Sequence, residues 1–326
     1  MSYGIIGRGL IVAAALAATG AWGQAWRPEK PVELVLPTGA GGINDQNARL
    51  IQKSFQDQKL PVPVLTVNKP GGNQHLAVIY LHQHPADPHY LLYATATVFT
   101  NELAGVAAQR YTEMTPLALL LVDYSVITVG ANSPMKNLQD LVTRLKADPE
   151  SISFGLVARG GPNHLALAQG MKSAGVDIRK LKLVVFKTNA ESMTAVMGGH
   201  IQAVVSSVSA ALPMVQAGNT RVLAVAAPQR VGGNMANIPT MREQGVPATG
   251  ISNWRGFFGP KGITAAQVAF WEEGLSKTVT TDEWKKQLDD NNLVSRFMRG
   301  REFAKYLEGE YQDTRSVMAD LGLVKQ

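Results

Sequence analysis

The stretch Val32-Glu33-Leu34-Val35-Leu36-Pro37-Thr38-Gly39-Ala40-Gly41-Gly42-Ile43-Asn44-Asp45 decides the fold class. A short apolar run passes through three glycines into a segment of helical period, Ile43–Gln56. Strand, tight turn and helix in that order open a βαβ unit, and such units build a mostly parallel sheet. The glycines let the backbone approach a ligand, while the free amides and macrodipole of the helix start favour an anion. In an open α/β sheet this turn also lies in the crevice at the strand's carboxyl end. Its spacing is not that of a dinucleotide fingerprint, because Asn44 stands where the third glycine belongs, and no lysine completes a phosphate loop.

The same grammar continues outward. Val62–Val67, Tyr90–Thr95, Leu117–Leu121 and Val126–Val129 read as strands, with helices at Gln74–His82 and Val98–Ala104. After Asn132-Ser133-Pro134 the alternation restarts with helices Leu138–Lys146, Asn163–Ser173, Ala190–Met197 and Ala210–Ala217. Between them fall strands Ile152–Gly155, Lys182–Phe186, Ile201–Ser206 and Arg221–Ala226. The tail holds an apolar run, Trp254–Phe258, and helices Ala265–Thr278, Asp282–Asp289 and Arg301–Leu321, with Arg296 to Arg301 reading as an exposed face. The expected architecture is two α/β domains: residues 24–126 plus 229–326 form the first and 127–228 the second. Two crossing strands, Val126–Val129 and Arg221–Ala226, would join them as a hinge over a cleft. The second unit repeats the glycine device in Leu156-Val157-Ala158-Arg159-Gly160-Gly161-Pro162-Asn163-His164. Pro162 suits a first helical turn, and Arg159 offers a carboxylate two parallel charge-assisted hydrogen bonds. One such turn on each lobe reads as a clamp for a small anion.

Of 326 residues, 45% are hydrophobic and 17% charged, which suits a globular chain with a large core and excludes a disordered or collagenous one. The absence of cysteine removes disulfides, thiolate nucleophiles, cysteine-based zinc sites and a lipoprotein anchor together. The formal charge of +6 is spread along the chain rather than clustered, which excludes nucleic acid as the expected partner. Residues 1–23 carry Arg8, the apolar run Gly9 to Ala18 and then Ala21-Trp22-Gly23. This order is that of a signal peptide cleaved after Gly23 or Ala25, so an exported mature chain is expected. No other run reaches the ~18 apolar residues needed to span a bilayer.

Many short segments together resemble the solute-binding receptors of tripartite tricarboxylate transporters, the TctC family of Bug receptors. They include Pro28-Glu29-Lys30-Pro31, Pro37 through Asp45 with Ala48-Arg49, Asn68-Lys69-Pro70-Gly71-Gly72, and Gly155 to His164-Leu165. They continue in Gly198-Gly199-His200-Ile201, Ala211-Leu212-Pro213, Ile238-Pro239-Thr240, Glu243-Gln244-Gly245 and Trp254-Arg255-Gly256. The resemblance implies a two-lobed type II periplasmic-binding-protein fold in a periplasmic monomer. Such a protein captures an organic carboxylate and delivers it to a membrane permease, without catalysis and without a cofactor. By position it nominates Thr38, Gly39, Gly41, Gly42, Ile43, Asn44 and Asp45 on the first lobe, and Arg159, Gly160, Gly161, Pro162 and Asn163 on the second. Asp45, if it faced the cleft, would need to accept from water, a ligand hydroxyl or a backbone amide. Ser206 and Ser207 stand where many members carry an aspartate, Phe186-Lys187-Thr188 replaces the frequent Tyr-Lys-Gly, and Arg159 replaces a small or neutral residue. Those departures point to a di- or tricarboxylate, aliphatic or aromatic. Thr95 and Thr97, at the end of the third strand, are further candidates for polar contacts.

Two other readings compete. His75, His82, His84 and His89 lie within fifteen residues, the pattern of an exported metal-binding protein, although only His75 and His82 would share a helix face. For an exported enzyme there is no Gly-x-Ser-x-Gly elbow, no His-Glu-x-x-His helix and no P-loop lysine, so no catalytic or metal residue is nominated. Trp254 with Phe257 and Phe258 reads either as a buried strand or as the floor of an aromatic ligand site.

Overall fold

Residues 26–247 and 251–325 are described by the computed structural model; the segment read as a signal peptide lies outside them. In chain order the elements are β1 (Val32–Leu36), α1 (Ile43–Asp57), β2 (Val64–Asn68), α2 (His75–His82), β3 (Tyr90–Thr95), α3 (Thr97–Leu103) and β4 (Met114–Asp123). Then follow β5 (Ser125–Gly130), α4 (Leu138–Ala147), β6 (Ser153–Leu156), α5 (Pro162–Ser173), β7 (Lys182–Val185), α6 (Asn189–Met197), β8 (Ala203–Ser207), α7 (Val208–Gln216) and β9 (Thr220–Ala226). The chain ends with β10 (Asn253–Pro260), α8 (Ala265–Thr280), α9 (Asp282–Asp290), β11 (Val294–Arg299) and α10 (Gly300–Asp320).

The strands form two sheets, ordered β11-β4-β10-β3-β1-β2 and β7-β6-β8-β5-β9. β1 is parallel to both β2 and β3, as its near-continuous apolar run requires of a strand covered on both faces. Each sheet receives one antiparallel strand from the crossover: β10 lies between β3 and β4, and β5 between β8 and β9. The parallel strands therefore end, and the antiparallel ones begin, at the space between the sheets.

The outgoing crossing is Asp123-Tyr124-Ser125. The return does not leave the second sheet with β9: Val225 bonds to Pro239 and Met241, and Met241, Val246 and Ile251 enter the second-lobe core. Residues 239–246 thus pack with the second sheet, although the sequence pattern assigned them to the first domain. The apolar side chains at 241 and 246 are what hold them there.

Helices cover both faces of both sheets. α1, α8 and α9 seal one face of the first sheet with Ile51, Phe55, Trp271 and Trp284, while α2, α3 and α10 seal the other with Leu81, Phe99, Phe303 and Leu307. The second cluster is continuous between lobes through Val122, Tyr124 and Val126. Trp254 is fully buried in it against Phe99 and Phe303, so it is core and not the floor of a ligand site. Gly256 follows because a Cβ there would lie 2.6 Å from Phe303 and 2.7 Å from the Ala118 carbonyl. α10 then continues past the first lobe, placing Val317 and Met318 in the second-lobe core and pairing Asp320 with Lys172.

Candidate functional site

Five helices, α1, α3, α5, α6 and α7, begin at the space between the sheets and contribute first-turn residues to a cavity of about 370 Å³. The positive ends of the helix dipoles meet there, which favours negative charge, while Thr95, Thr188 and Asp123 already accept first-turn amides of α3, α6 and α7. A larger cavity, about 630 Å³, is lined only by second-lobe residues, among them Val196, Met197 and Asn219 where α6 and α7 end. Helix C-termini present carbonyls, which disfavour an anion, and we place the site at the smaller cavity.

The two glycine loops have the same local geometry. Gly41 and Gly160 take positive φ of 87° and 78°, a conformation that side chains rarely adopt. Gly42 and Gly161 follow as extended N-caps, with φ/ψ of −77°/171° and −77°/167°. Ile43 and Pro162 then open α1 and α5, and Asn44 and Asn163 reach the cavity from the next position. Four residues after the positive-φ glycine, a buried side chain accepts its amide: Gly41 N donates to Asp45 Oδ2 at 3.0 Å, and Gly160 N donates to His164 Nδ1 at 2.9 Å.

Asp45 also accepts from Arg49 Nε at 2.8 Å and from Asn68 Nδ2 at 3.0 Å. The Arg49 hydrogen bond leads in holding its carboxyl down at about 2 against the cost of burial, with Gly41 and Asn68 adding to it. Burial, helped by the charge of Arg159, pushes His164 down to about 4. A neutral imidazole that accepts at Nδ1 carries its proton at Nε2.

The first lobe contributes Ile43, Asn44, Gln74, Thr95, Thr97 and Asp123 to the cavity, together with Asn253 and Arg255 at the start of β10. From the second lobe come Leu156, Val157 and Ala158, then Gly161, Pro162 and Asn163, and finally Asn189, Ser207, Ser209 and Ala210. A polar bridge joins the lobes where Ser209 donates to Asp123 from its backbone N at 3.3 Å and from Oγ at 2.7 Å, and within the second lobe Ser125 Oγ donates to Asn163 Oδ1 at 2.7 Å. Gln74 Nε2 donates to Thr95 Oγ1, which in turn lies 3.2 Å from Thr97 Oγ1.

Among the nominated residues, Ile43, Asn44, Thr95, Thr97, Gly161, Pro162, Asn163 and Ser207 line the cavity. Thr38, Gly39, Gly41, Gly42 and Gly160 form the turns behind it, and Asp45 is turned into its own loop. Accepting a backbone amide resolves the repulsion that a cleft-facing carboxylate would create. Ser206 is fully buried beneath Ser207. Arg159 is exposed and does not line the cavity, contrary to its expected role toward a distal carboxylate. Its place on the flank of the turn carries it outward. Gln74, Asp123, Asn189, Ser209, Asn253 and Arg255 were not anticipated; only tertiary folding gathers them, although Arg255 stands out as a charge inside an apolar strand.

The histidines are engaged separately. His84 stacks on Tyr90 with ring centroids 3.6 Å apart, His89 Nδ1 lies 2.7 Å from Asp87, and His82 Nδ1 lies 2.8 Å from the Val78 carbonyl. Among the described residues no group of three or more metal-ligating side chains is assembled.

Two α/β lobes joined by crossing strands, with helix starts converging on the cleft between them, define the type II periplasmic-binding-protein fold. The chain belongs to the tripartite tricarboxylate transporter receptor family, TctC, whose family model matches residues 47–323. The family is one of transporter receptors rather than enzymes, and the folds it resembles include solute-binding proteins. A Cupriavidus necator protein, described as the UPF0065 protein in the gbd 5′ region, is 26% identical over 95% of this chain and 93% of its own. A TctC solute-binding protein from Polaromonas superposes with a TM-score of 0.81 at 24% identity, covering 90% of this chain and 99% of that one. The Rhodopseudomonas palustris protein Rpa4515, determined with adipate, gives 0.75 at 22% identity, covering 91% and 99%. MatC of the same organism, with bound malate, gives 0.70 at 22%, covering 89% and 99%.

Proposed function

We propose that the chain is an exported receptor that captures a small organic carboxylate in the interlobe cavity and delivers it to the membrane permease of a tripartite tricarboxylate transporter. The convergence of five helix starts on one interlobe cavity carries this reading, because it concentrates positive potential there. The lobes act as two bodies about the crossings near Tyr124 and residues 251–253, and a ligand touching both favours the closed arrangement. Direct contacts are assigned to Asn44, Thr95, Thr97, Asn163, Ser207 and the amides of the α1 and α5 starts. A di- or tricarboxylate is the favoured class, in keeping with the adipate and malate found in the two R. palustris proteins. Secretion through residues 1–23 places the mature receptor in the periplasm, as a monomer.

The test is a thermal-shift screen of the mature chain against dicarboxylates, tricarboxylates, aromatic acids, amino acids and divalent metals. A ligand specific for the native state adds about 2.7 kcal/mol of stability at a hundredfold excess over its dissociation constant. A shift confined to some carboxylates is the expected result. A shift with zinc or copper alone would reject the receptor reading.

A further inference from the structure

Arg255 is the one cation that lines the cavity among the described residues, and its position is unusual for an arginine. It lies within β10 between Trp254 and Gly256, and its side chain retains only 8% of its exposure. Nε donates to Asn44 Oδ1 at 3.1 Å and Nη1 donates to the Asn253 carbonyl at 2.7 Å, which fixes the plane of the guanidinium. The nearest carboxylate, Asp123, stands 3.8 Å from Nη2, beyond hydrogen-bond length, and its two oxygens already accept from the backbone and hydroxyl of Ser209. The guanidinium is thus held at two nitrogens and paired at longer range with Asp123, while Nη2 hydrogen-bonds to no protein acceptor and keeps its donor capacity for a ligand. Its planar fork matches a carboxylate, and the cavity is the open side.

We infer that Arg255 is the specificity-determining residue of the cleft: it receives one carboxylate of a dicarboxylate ligand while the helix starts of the second lobe receive the other. The inference rests on the carboxylate-receptor reading above and makes it more specific. Arg255 binds from the first lobe, and Gly161, Asn163 and Ser209 face it from the second. A diacid spanning that gap ties the lobes together, whereas a monoacid satisfies only one side. The Asn44 contact adds a second consequence, since the group that reads the ligand also fixes the first turn of α1.

The experiment is calorimetric titration of wild type, Arg255→Gln, Arg255→Lys and Arg159→Gln with succinate, malate and adipate, each beside its monomethyl ester. Melting curves check that each variant is folded. For the diacid that wild type prefers, Arg255→Gln is expected to weaken binding about ten- to a hundredfold, the range of a lost charged hydrogen bond. Its half-ester should change far less, Arg255→Lys should fall between, and Arg159→Gln should bind both as wild type does. Equal losses for diacid and half-ester would overturn the inference and leave Arg255 a positioning residue for α1 alone, with the receptor reading intact. Wild type binding none of the diacids would overturn the inference, while the receptor reading would still stand or fall on the wider carboxylate screen.

Discussion

Asp45 and His164 take the same amide at the same place in two lobes with opposite chemistry, one an ionised acid and the other a neutral base. Both hold a positive-φ glycine so that the next helix starts at the cavity. Replacing Asp45 with Ala strands the Gly41 amide and leaves Asn68 Nδ2 with the Thr38 carbonyl alone, and is expected to cost about 1–3 kcal/mol in urea denaturation while weakening ligand binding. A loss within experimental error would mean that the turn holds itself. The glycine loops were legible because glycine next to an apolar run has few other uses. Arg255 was not, because a linear pattern cannot say which edge of a strand meets a cleft, and Arg159 was misjudged by its nearness to the motif. Asp123 and Ser209, which meet across the lobes, lie 86 residues apart, so no local pattern links them.

At the level of elements, the C-terminal helix bears on the hinge. Ser252, next to the return crossing, donates from N and Oγ to Glu310 Oε2 at 3.1 Å and shares a hydrogen bond with Tyr306; Tyr124 of the outgoing crossing and Arg296 lie close to the same cluster. Burial pushes Glu310 up to about 7 from its ordinary 4.5, against the pull of Ser252 and with a push from Asp313. The folded state therefore keeps a proton that the unfolded chain has released, and this contribution to stability, full below about 4.5, fades as pH rises through 7. Glu310→Gln, which mimics the protonated acid, is expected to gain stability relative to wild type between pH 5 and pH 8. His164 pulls the other way, its contribution fading as pH falls from 6.5 toward 4, but it is common to both proteins and cancels in the comparison. A difference in urea midpoint that did not change with pH would show that Glu310 does not titrate in this window.

Most of this level was readable in advance: β1 and β3 keep the bounds expected of them, and every expected helix is present with its ends moved by one or two residues. β11 was missed. It is an edge strand whose alternation is broken by Arg296 and Arg299, and it is held by pairing with β4, which its own sequence does not announce.

For the whole molecule, two crossings and a continuous apolar cluster join lobes that line one open cavity between them. If the ligand bridges them, small-angle scattering should show the radius of gyration falling when saturating diacid is added, with no change on adding an acid that does not bind. An unchanged radius under saturation would mean that the cavity fills without closure. The C-terminal helix carries a further consequence, for how the protein is made. Val317 and Met318 complete the second-lobe core, Asp320 ties to Lys172, and Lys325 N bonds to the Leu103 carbonyl. A chain emerging N-terminus first, from ribosome or translocon, therefore cannot finish either lobe until its last turn is free. A chain cut before Val317 lacks part of the second-lobe core and the Leu103 tie together, and is expected to be cleaved by protease faster than the full chain.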